Sequence, residues 1–361
     1  MVARRFQSAI PCKARQLNPL GSNRYSPPSD NLLMPHRILI IRRDNIGDLV
    51  CTTPLLRALR TQLPDSRIEV LATRYNQAVL QGHPDIDALY AYTKAKHRED
   101  GESLLGLYWQ RLVTVASLRR QHYDWVILPE GGSASALRFA HWVNGKKVLV
   151  RDGRDEVAGP HEVEKCCHLH SRLGLAYETP APHIVAAAGE QAGIRRLLPV
   201  RGPATRLIGV HISARKPSQR WPAESFADLA RRLAAENCAL LLLWAPGRSD
   251  NPQHPGDDDK AETIMTMTKG LPITPVPTRR LEELIAALSL CNGVVCGDGG
   301  AMHLAAGLGK SIVCLFGQST VARWHPWAVP HVVLQDASLD VSRICVDQVM
   351  RACHSLFEKG H

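Results

Sequence analysis

The chain has 361 residues, a formal net charge of +10 and an apolar fraction of 45 %, enough for two α/β units with separate cores. No run approaches the ~18 apolar residues of a membrane span. With no basic helix or aromatic–basic platform, the excess charge suits anionic substrates or an anionic membrane surface rather than nucleic acid.

Residues 1–35 are rich in Pro, Ser, Asn and Arg, carry five basic residues against one acid, and read as a disordered basic tail. Arg37-Ile38-Leu39-Ile40-Ile41 is a short β-branched run of the kind that forms a central parallel strand. The loop RRDNIGD follows, then a helix expected over 49–63, with Pro54 near its first turn, where proline is tolerated. Strands are expected at 68–71, 89–92, 125–128 and 147–150, and helices at 103–120 and 161–174. The stretch 175–204 shows no clear period. A second series opens at Leu207–His211 and continues with a helix over 223–236, a strand over 239–244 and the long polar loop APGRSDNPQHPGDDD. A helix near 280–290, the segment 294–318 and a last helix over about 341–356 complete it. This twice-repeated alternation predicts an α/β chain with two doubly wound sheets. The expected division is tail 1–35, first domain 36–180, linker 181–204, second domain 205–340 and C-terminal helix 341–361. The ten cysteines include no CxxC pair and read as buried reduced thiols, which points to a cytosolic protein.

Three loops at strand ends carry candidate chemistry, because ligands of open parallel sheets bind beyond the carboxyl ends of the strands. After the first strand, Asp48 or Asp44 can serve as a general base or simply cap the helix. After strand 207–211, Arg215, Lys216 and Arg220 offer cations to a diphosphate, or form a solvated charged loop. The turn Gly297-Asp298-Gly299-Gly300 has three glycines able to take positive φ. It leads into a small-residue helix whose free N–H groups and dipole suit an anion, though an ordinary βα turn would look the same. His303, on the first turn of that helix, can donate to phosphate or pack as a core histidine. Asp298 can touch a ligand or hold the turn. The turn is neither a GxxxxGK[ST] loop nor GxGxxG, and no GxSxG elbow occurs. No metal frame is present: Asp85-Ile86-Asp87 sits outside a strand end, and Asp257-Asp258-Asp259 reads as a helix start.

Together the segments RILIIRRDNIGDLVCTTPLLRAL, GVHISARKPSQRWPAESFADLARRL and VVCGDGGAMHLAAGLGKSIVCLFGQSTVARWHPW resemble glycosyltransferase family 9, the ADP-heptose:lipopolysaccharide heptosyltransferases. The resemblance covers about residues 37–330. It implies the GT-B fold, two Rossmann-like domains facing across a cleft, with acceptor bound by the first and nucleotide-sugar donor by the second. It further implies inverting, metal-independent transfer with no cofactor beyond the nucleotide-sugar donor, ADP-heptose in the family's usual form. Asp48 would be the base. Gly47, Thr52 and Thr53 would shape the loop near the donor phosphates. Asp298, Gly299, Gly300, Ala301, Met302 and His303 would bind donor sugar and diphosphate. Two departures stand out. The family often has Lys-Arg or Lys-His before Trp-Pro, where this chain has Gln219-Arg220, which leaves Arg220 or Lys216 as the phosphate-facing cation. It usually has Asp-Thr-Gly in the turn, where this chain has Asp298-Gly299-Gly300. The implied partners are a nucleotide-sugar and a lipopolysaccharide-type glycolipid at the inner face of the membrane, with peripheral contact to anionic lipid and none to nucleic acid. A non-catalytic nucleotide-sugar-binding protein and a GT-B-like sugar-nucleotide epimerase are the alternatives.

Overall fold

Ile38, Leu39, Ile40 and Ile41 are all fully buried, as a strand covered on both faces requires. They belong to β1 (Arg37–Ile41), the middle of a five-stranded, all-parallel sheet with β2 (Arg67–Thr73), β3 (Ala88–Tyr92), β4 (Trp125–Leu128) and β5 (Lys147–Val150), in the order β3-β2-β1-β4-β5. The computed structural model describes residues 34–93, 103–199, 202, 205–250 and 256–357. The tail expected over 1–35 therefore lies almost wholly outside the described residues, as do Cys12 and part of the loop 245–259.

The helix expected over 49–63 is two helices, α1 (Ile46–Val50) and α2 (Thr53–Gln62). Pro54 has no N–H for the Val50 carbonyl, which instead accepts from the Thr53 hydroxyl at 2.8 Å. The break turns α1 out of line and places its first turn at the carboxyl edge of the sheet. The remaining helices of this half are α3 (Leu104–Arg119), α4 (Ala134–Val143) and α5 (Glu162–Ser171). α4 was not legible as a helix in the sequence; Ser133 caps it, accepting from Ala136 N at 3.3 Å.

The stretch expected as a linker contains α6 (Ala188–Leu197), and Ile184 before it is buried with its N–H donating to Gly307 O at 3.0 Å. The second half holds β6 (Arg206–His211), α7 (Ala223–Ala235), β7 (Cys238–Trp244), α8 (Asp258–Met267), β8 (Ile273–Pro277), α9 (Leu281–Leu290), β9 (Gly293–Gly297), α10 (Gly300–Gly307), β10 (Ser311–Phe316), α11 (Val321–Trp324), β11 (His331–Gln335) and α12 (Val346–Phe357). Its six parallel strands run β11-β10-β9-β6-β7-β8. β8 and β11 are edge strands that the sequence reading missed. Both are only partly buried, and β8 contains Pro275 and Pro277, tolerated at an edge because a proline has no ladder N–H to give. α12 is shorter than expected and lies on the second sheet, with Val349, Met350, Ala352 and Cys353 buried in the same core as Ile208 and Val313.

The fold is α/β with two parallel sheets whose carboxyl edges face each other, as the resemblance implied. A single apolar cluster runs from Ile38, Leu55 and Val163 in the first half to Leu284, Met302 and Ala305 in the second. No helix among the described residues is long and apolar enough to cross a membrane. Among the described residues eight cysteines are buried and Cys345 is exposed.

Candidate functional site

The two facing edges meet at the helices that follow β1 and β9. α1 and α10 abut, and Gly47 is the reason they can: a Cβ there would lie 2.4 Å from His303 Cδ2. Gly300 in turn lies over Ile46, and Cys51 Sγ is 3.7 Å from His303 Nδ1. The first turn after β1 and the first turn after β9 thus form one locus.

On the first of these turns, Asp48 is largely buried and does not cap a backbone N–H. Its Oδ1 accepts from Arg42 Nη2 at 2.7 Å and its Oδ2 from Asn45 Nδ2 at 2.8 Å. Arg42, fully buried, is the hub. It also donates to Asp44 Oδ1 at 2.8 Å and to Glu162 Oε1 at 3.0 Å. Burial alone would lower the Arg42 pKa, but the surrounding acids raise it well above its ordinary value. The Asp44 pKa is raised too, which for a carboxyl favours the neutral form: burial, with Asp48 and Glu130 adding, lifts it against the pull of Arg42.

Glu162, also fully buried, opens α5 and binds three arginines. Arg42 and Arg151 reach Oε1, and Arg323 of α11 reaches Oε2 at 2.9 Å from the other half. Burial pushes its carboxyl up, yet the guanidinia of Arg42 and Arg151 outweigh it and hold the pKa down at about 2. Beside it His161 packs in tilted contact with His325 and Trp327, ring centroids 4.6 and 4.4 Å apart. Its Nδ1 accepts from Val163 N, so Nε2 carries the proton and donates to His325 O at 2.9 Å. Burial lowers its pKa to about 3 against that carbonyl bond.

On the second turn, Asp298 Oδ2 accepts from Gln219 Nε2 at 2.9 Å. Gln219 therefore holds the Asp298 carboxylate with a neutral amide. None of the three turn glycines enters the left-handed region; Gly299 is fully extended at φ 169°, and a Cβ there would meet nothing within 4 Å. The expected left-handed turn is thus not formed, because the chain passes straight from β9 into α10. The helix start does leave the N–H groups of Gly300, Ala301 and Met302 without intrahelical acceptors. His303 is buried, and burial lowers its pKa against the opposing fields of Asp298, Asp48 and Glu162.

Thr52 and Thr53 are buried, and their hydroxyls donate to Asp48 O and Val50 O at 2.9 and 2.8 Å, which ties the loop to its own backbone. The side chains of Ala301 and Met302 face the core, with Met302 Sδ 3.1 Å from Cys314 Sγ, which leaves only their backbone N–H groups to meet a ligand. Arg220 is half-buried, its Nε donating to Ala214 O at 3.1 Å, and Lys216 is exposed. Asp85 and Asp87 are bound by Arg57 and Arg60, each at 2.7 Å.

The sequence reading missed Arg42, Glu162, Arg151, Arg323 and Lys260. Only Arg42 had a signal, as a charge directly abutting a buried strand. Lys260 on α8 donates to Ile212 O at 3.1 Å at the end of β6. Burial, with Arg220 adding, lowers its pKa to about 8 against Asp257. Two surface hollows of about 540 and 720 Å³ lie at the opposite, amino-terminal edge of the second sheet, around Leu198, Pro199 and Gly202. They border residues outside the described set and touch none of this chemistry.

Comparison with known proteins bears on the family and the fold. The profile of glycosyltransferase family 9 (heptosyltransferase) matches residues 111–343. The lipopolysaccharide heptosyltransferase 2 of Salmonella typhimurium is 25 % identical over 302 residues, spanning 79 % of this chain and 83 % of that protein. The lipopolysaccharide heptosyltransferase 3 of Escherichia coli K12 is 24 % identical over 300 residues, 78 % of this chain and 82 % of its own length. Among solved structures, a family 9 glycosyltransferase from Veillonella parvula superposes with a TM-score of 0.73 at 20 % identity, covering 91 % of this chain and 99 % of that one. The E. coli ADP-heptose lipopolysaccharide heptosyltransferase II superposes with a TM-score of 0.70 at 19 % identity over 90 % of this chain and 99 % of its own. At these identities the superpositions speak to fold.

Proposed function

The chain belongs to glycosyltransferase family 9, and from that premise we propose that it transfers a heptose from ADP-heptose to a lipopolysaccharide-type glycolipid, with inversion and without a metal ion. The observation that carries the proposal is the contact of α1 with α10. It sets a carboxylate, Asp48, beside a helix start with free N–H groups.

In this reading the first half binds the acceptor and the second the donor. Asp48 takes the proton from the acceptor hydroxyl. That oxygen attacks the anomeric carbon from the face opposite the diphosphate, the bond from anomeric carbon to diphosphate oxygen breaks, and ADP leaves. One displacement with one base inverts the centre. Arg42 and Asn45 fix both carboxylate oxygens of Asp48, so little reorientation is needed at the moment of transfer. The N–H groups at the start of α10, with Arg220, Lys216 and Lys260 nearby on the second half, offset the charge arriving on ADP. Gln219 holds Asp298 in place, where the carboxylate can accept from a sugar hydroxyl.

The test is transfer from ADP-heptose to a heptose-deficient lipopolysaccharide acceptor, followed by mass spectrometry of the product, with and without excess EDTA. The expected result is a product heavier by one heptose, formed at the same rate with the chelator present. Donor binding with no product, or activity lost to EDTA and restored by Mg²⁺ or Mn²⁺, would defeat the reading in its catalytic or its metal-free part respectively.

A further inference from the structure

α3 carries an apolar stripe on its solvent side. Leu105, Tyr108, Trp109, Leu112 and Val113 follow the i, i+3, i+4, i+7, i+8 spacing of one helical face, yet they are 82, 54, 69, 59 and 53 % exposed. The later turns of the helix already meet the first core through Val115 and Leu118. A run of five large exposed apolar side chains on one helix face marks an interaction surface rather than ordinary surface scatter.

Charge and composition indicate the occupant. Neither α3 nor α4, which lies beside it, contains an acidic residue. Arg119 and Arg120 at the end of α3 and Arg138 on α4 are exposed cations on the same surface, and Arg111 is half-buried. The only acids between residues 103 and 148 are Asp124, paired with Lys146, and Glu130, bound by Arg43. Trp and Tyr beside aliphatic side chains, with an arginine rim, suit the boundary between lipid headgroups and acyl chains. The Arg111 guanidinium lies 5.1 and 5.7 Å from the centroids of the buried Tyr92 and Phe139 rings and 5.5 Å from that of Tyr108, so it packs inward beneath the edge of the stripe.

Position links the surface to the site. α3 follows β3, so its amino-terminal turns, which bear the stripe, start from the same carboxyl edge as α1. α4 starts there too, its Ser135 hydroxyl accepting from Arg43 Nη2 at 3.2 Å, one residue from Asp44. We propose that the α3 stripe, with its arginine rim, docks this protein on an anionic lipid bilayer and so presents the Asp48 edge to a lipid-borne acceptor. The role given to the acceptor rests on the proposed function. The docking itself does not.

The experiment measures flotation of the full chain with vesicles of phosphatidylglycerol and phosphatidylethanolamine, and with neutral phosphatidylcholine vesicles, in the absence of donor and acceptor. The chain is expected to float with the anionic vesicles and to be released by salt. Trp109→Glu with Leu112→Glu should lower that partition by about tenfold or more, and Trp109→Ser should lower it by less. Sedimentation velocity and circular dichroism should show the variants folded and unchanged in mass. Transfer to a delipidated, water-soluble acceptor should stay at the wild-type rate, while transfer to an acceptor embedded in vesicles falls. Failure of the chain to bind anionic vesicles, equal binding by the variant, or conversion of a dimer to a monomer by Trp109→Glu would each overturn the proposal. Because flotation needs no turnover, those results are separable from a failure of the transferase reading.

Discussion

Replacing Glu162 by Gln removes one charge from a fully buried group bound by three arginines and hardly changes its volume. The pKa of about 2, against an ordinary value of 4.5, corresponds to about 3 kcal/mol of preference for the charged form in the fold. Breaking a buried ion pair independently suggests about 3–5 kcal/mol. The sign follows from the lowered pKa. The stabilisation is fully present above pH ~4.5 and is lost as pH falls towards ~2. Urea denaturation of wild type and Glu162→Gln at neutral pH should therefore differ by about 3 kcal/mol, and the gap should narrow as the buffer is taken below pH ~4.5. Since Arg323 reaches Glu162 from the second half, the variant should also loosen the contact of the halves and raise the donor KM. A difference below about 0.5 kcal/mol, the size expected of an ordinary surface change, would refute the view that this carboxylate anchors the Arg42 hub.

Gly47→Ala should cut transfer by about tenfold or more, as a Cβ 2.4 Å from the His303 ring forces α1 from α10; adding His303→Ala should recover part of it, which steady-state kinetics would show. His161, with its pKa lowered from 6.5 to about 3, should remain neutral in the fold by NMR titration down to about pH 4. Its contribution to stability should be present above pH ~6.5 and decline as pH falls from there towards ~3; a ring that protonates near 6.5 would contradict the buried packing against Trp327. Gln219→Ala, which frees the Asp298 carboxylate, should raise the donor KM several-fold while kcat changes little, and an unchanged KM would remove Asp298 from donor binding.

Most of the fold could be read from the sequence because the central strands are fully buried, and such strands appear as unbroken apolar runs, as at Arg37–Ile41 and Cys238–Trp244. The edge strands β8 and β11 could not, since partial burial leaves them without a strong pattern. α4 and α6 escaped for a related reason: each is short, and its apolar face is small. Local motifs located Asp48, Asp298 and His303, and the structure brings the two turns that carry them together. It could not be read that Thr52 and Thr53 turn their hydroxyls back onto the backbone, because that depends on how Pro54 splits the helix. The Arg42–Glu162–Arg323 chain was equally hidden. Its members lie 120 and 161 residues apart and meet only when the halves close on one another.

The most direct test concerns Asp48 alone. Asp48→Asn keeps the size of the side chain and removes the basic oxygen. The proton-transfer account predicts that kcat falls by roughly 10²–10⁴, while the Kd for ADP-heptose, measured by calorimetry on the same variant, stays close to the wild-type value. A kcat within about threefold of wild type, far short of the loss expected when a general base is removed, would contradict it.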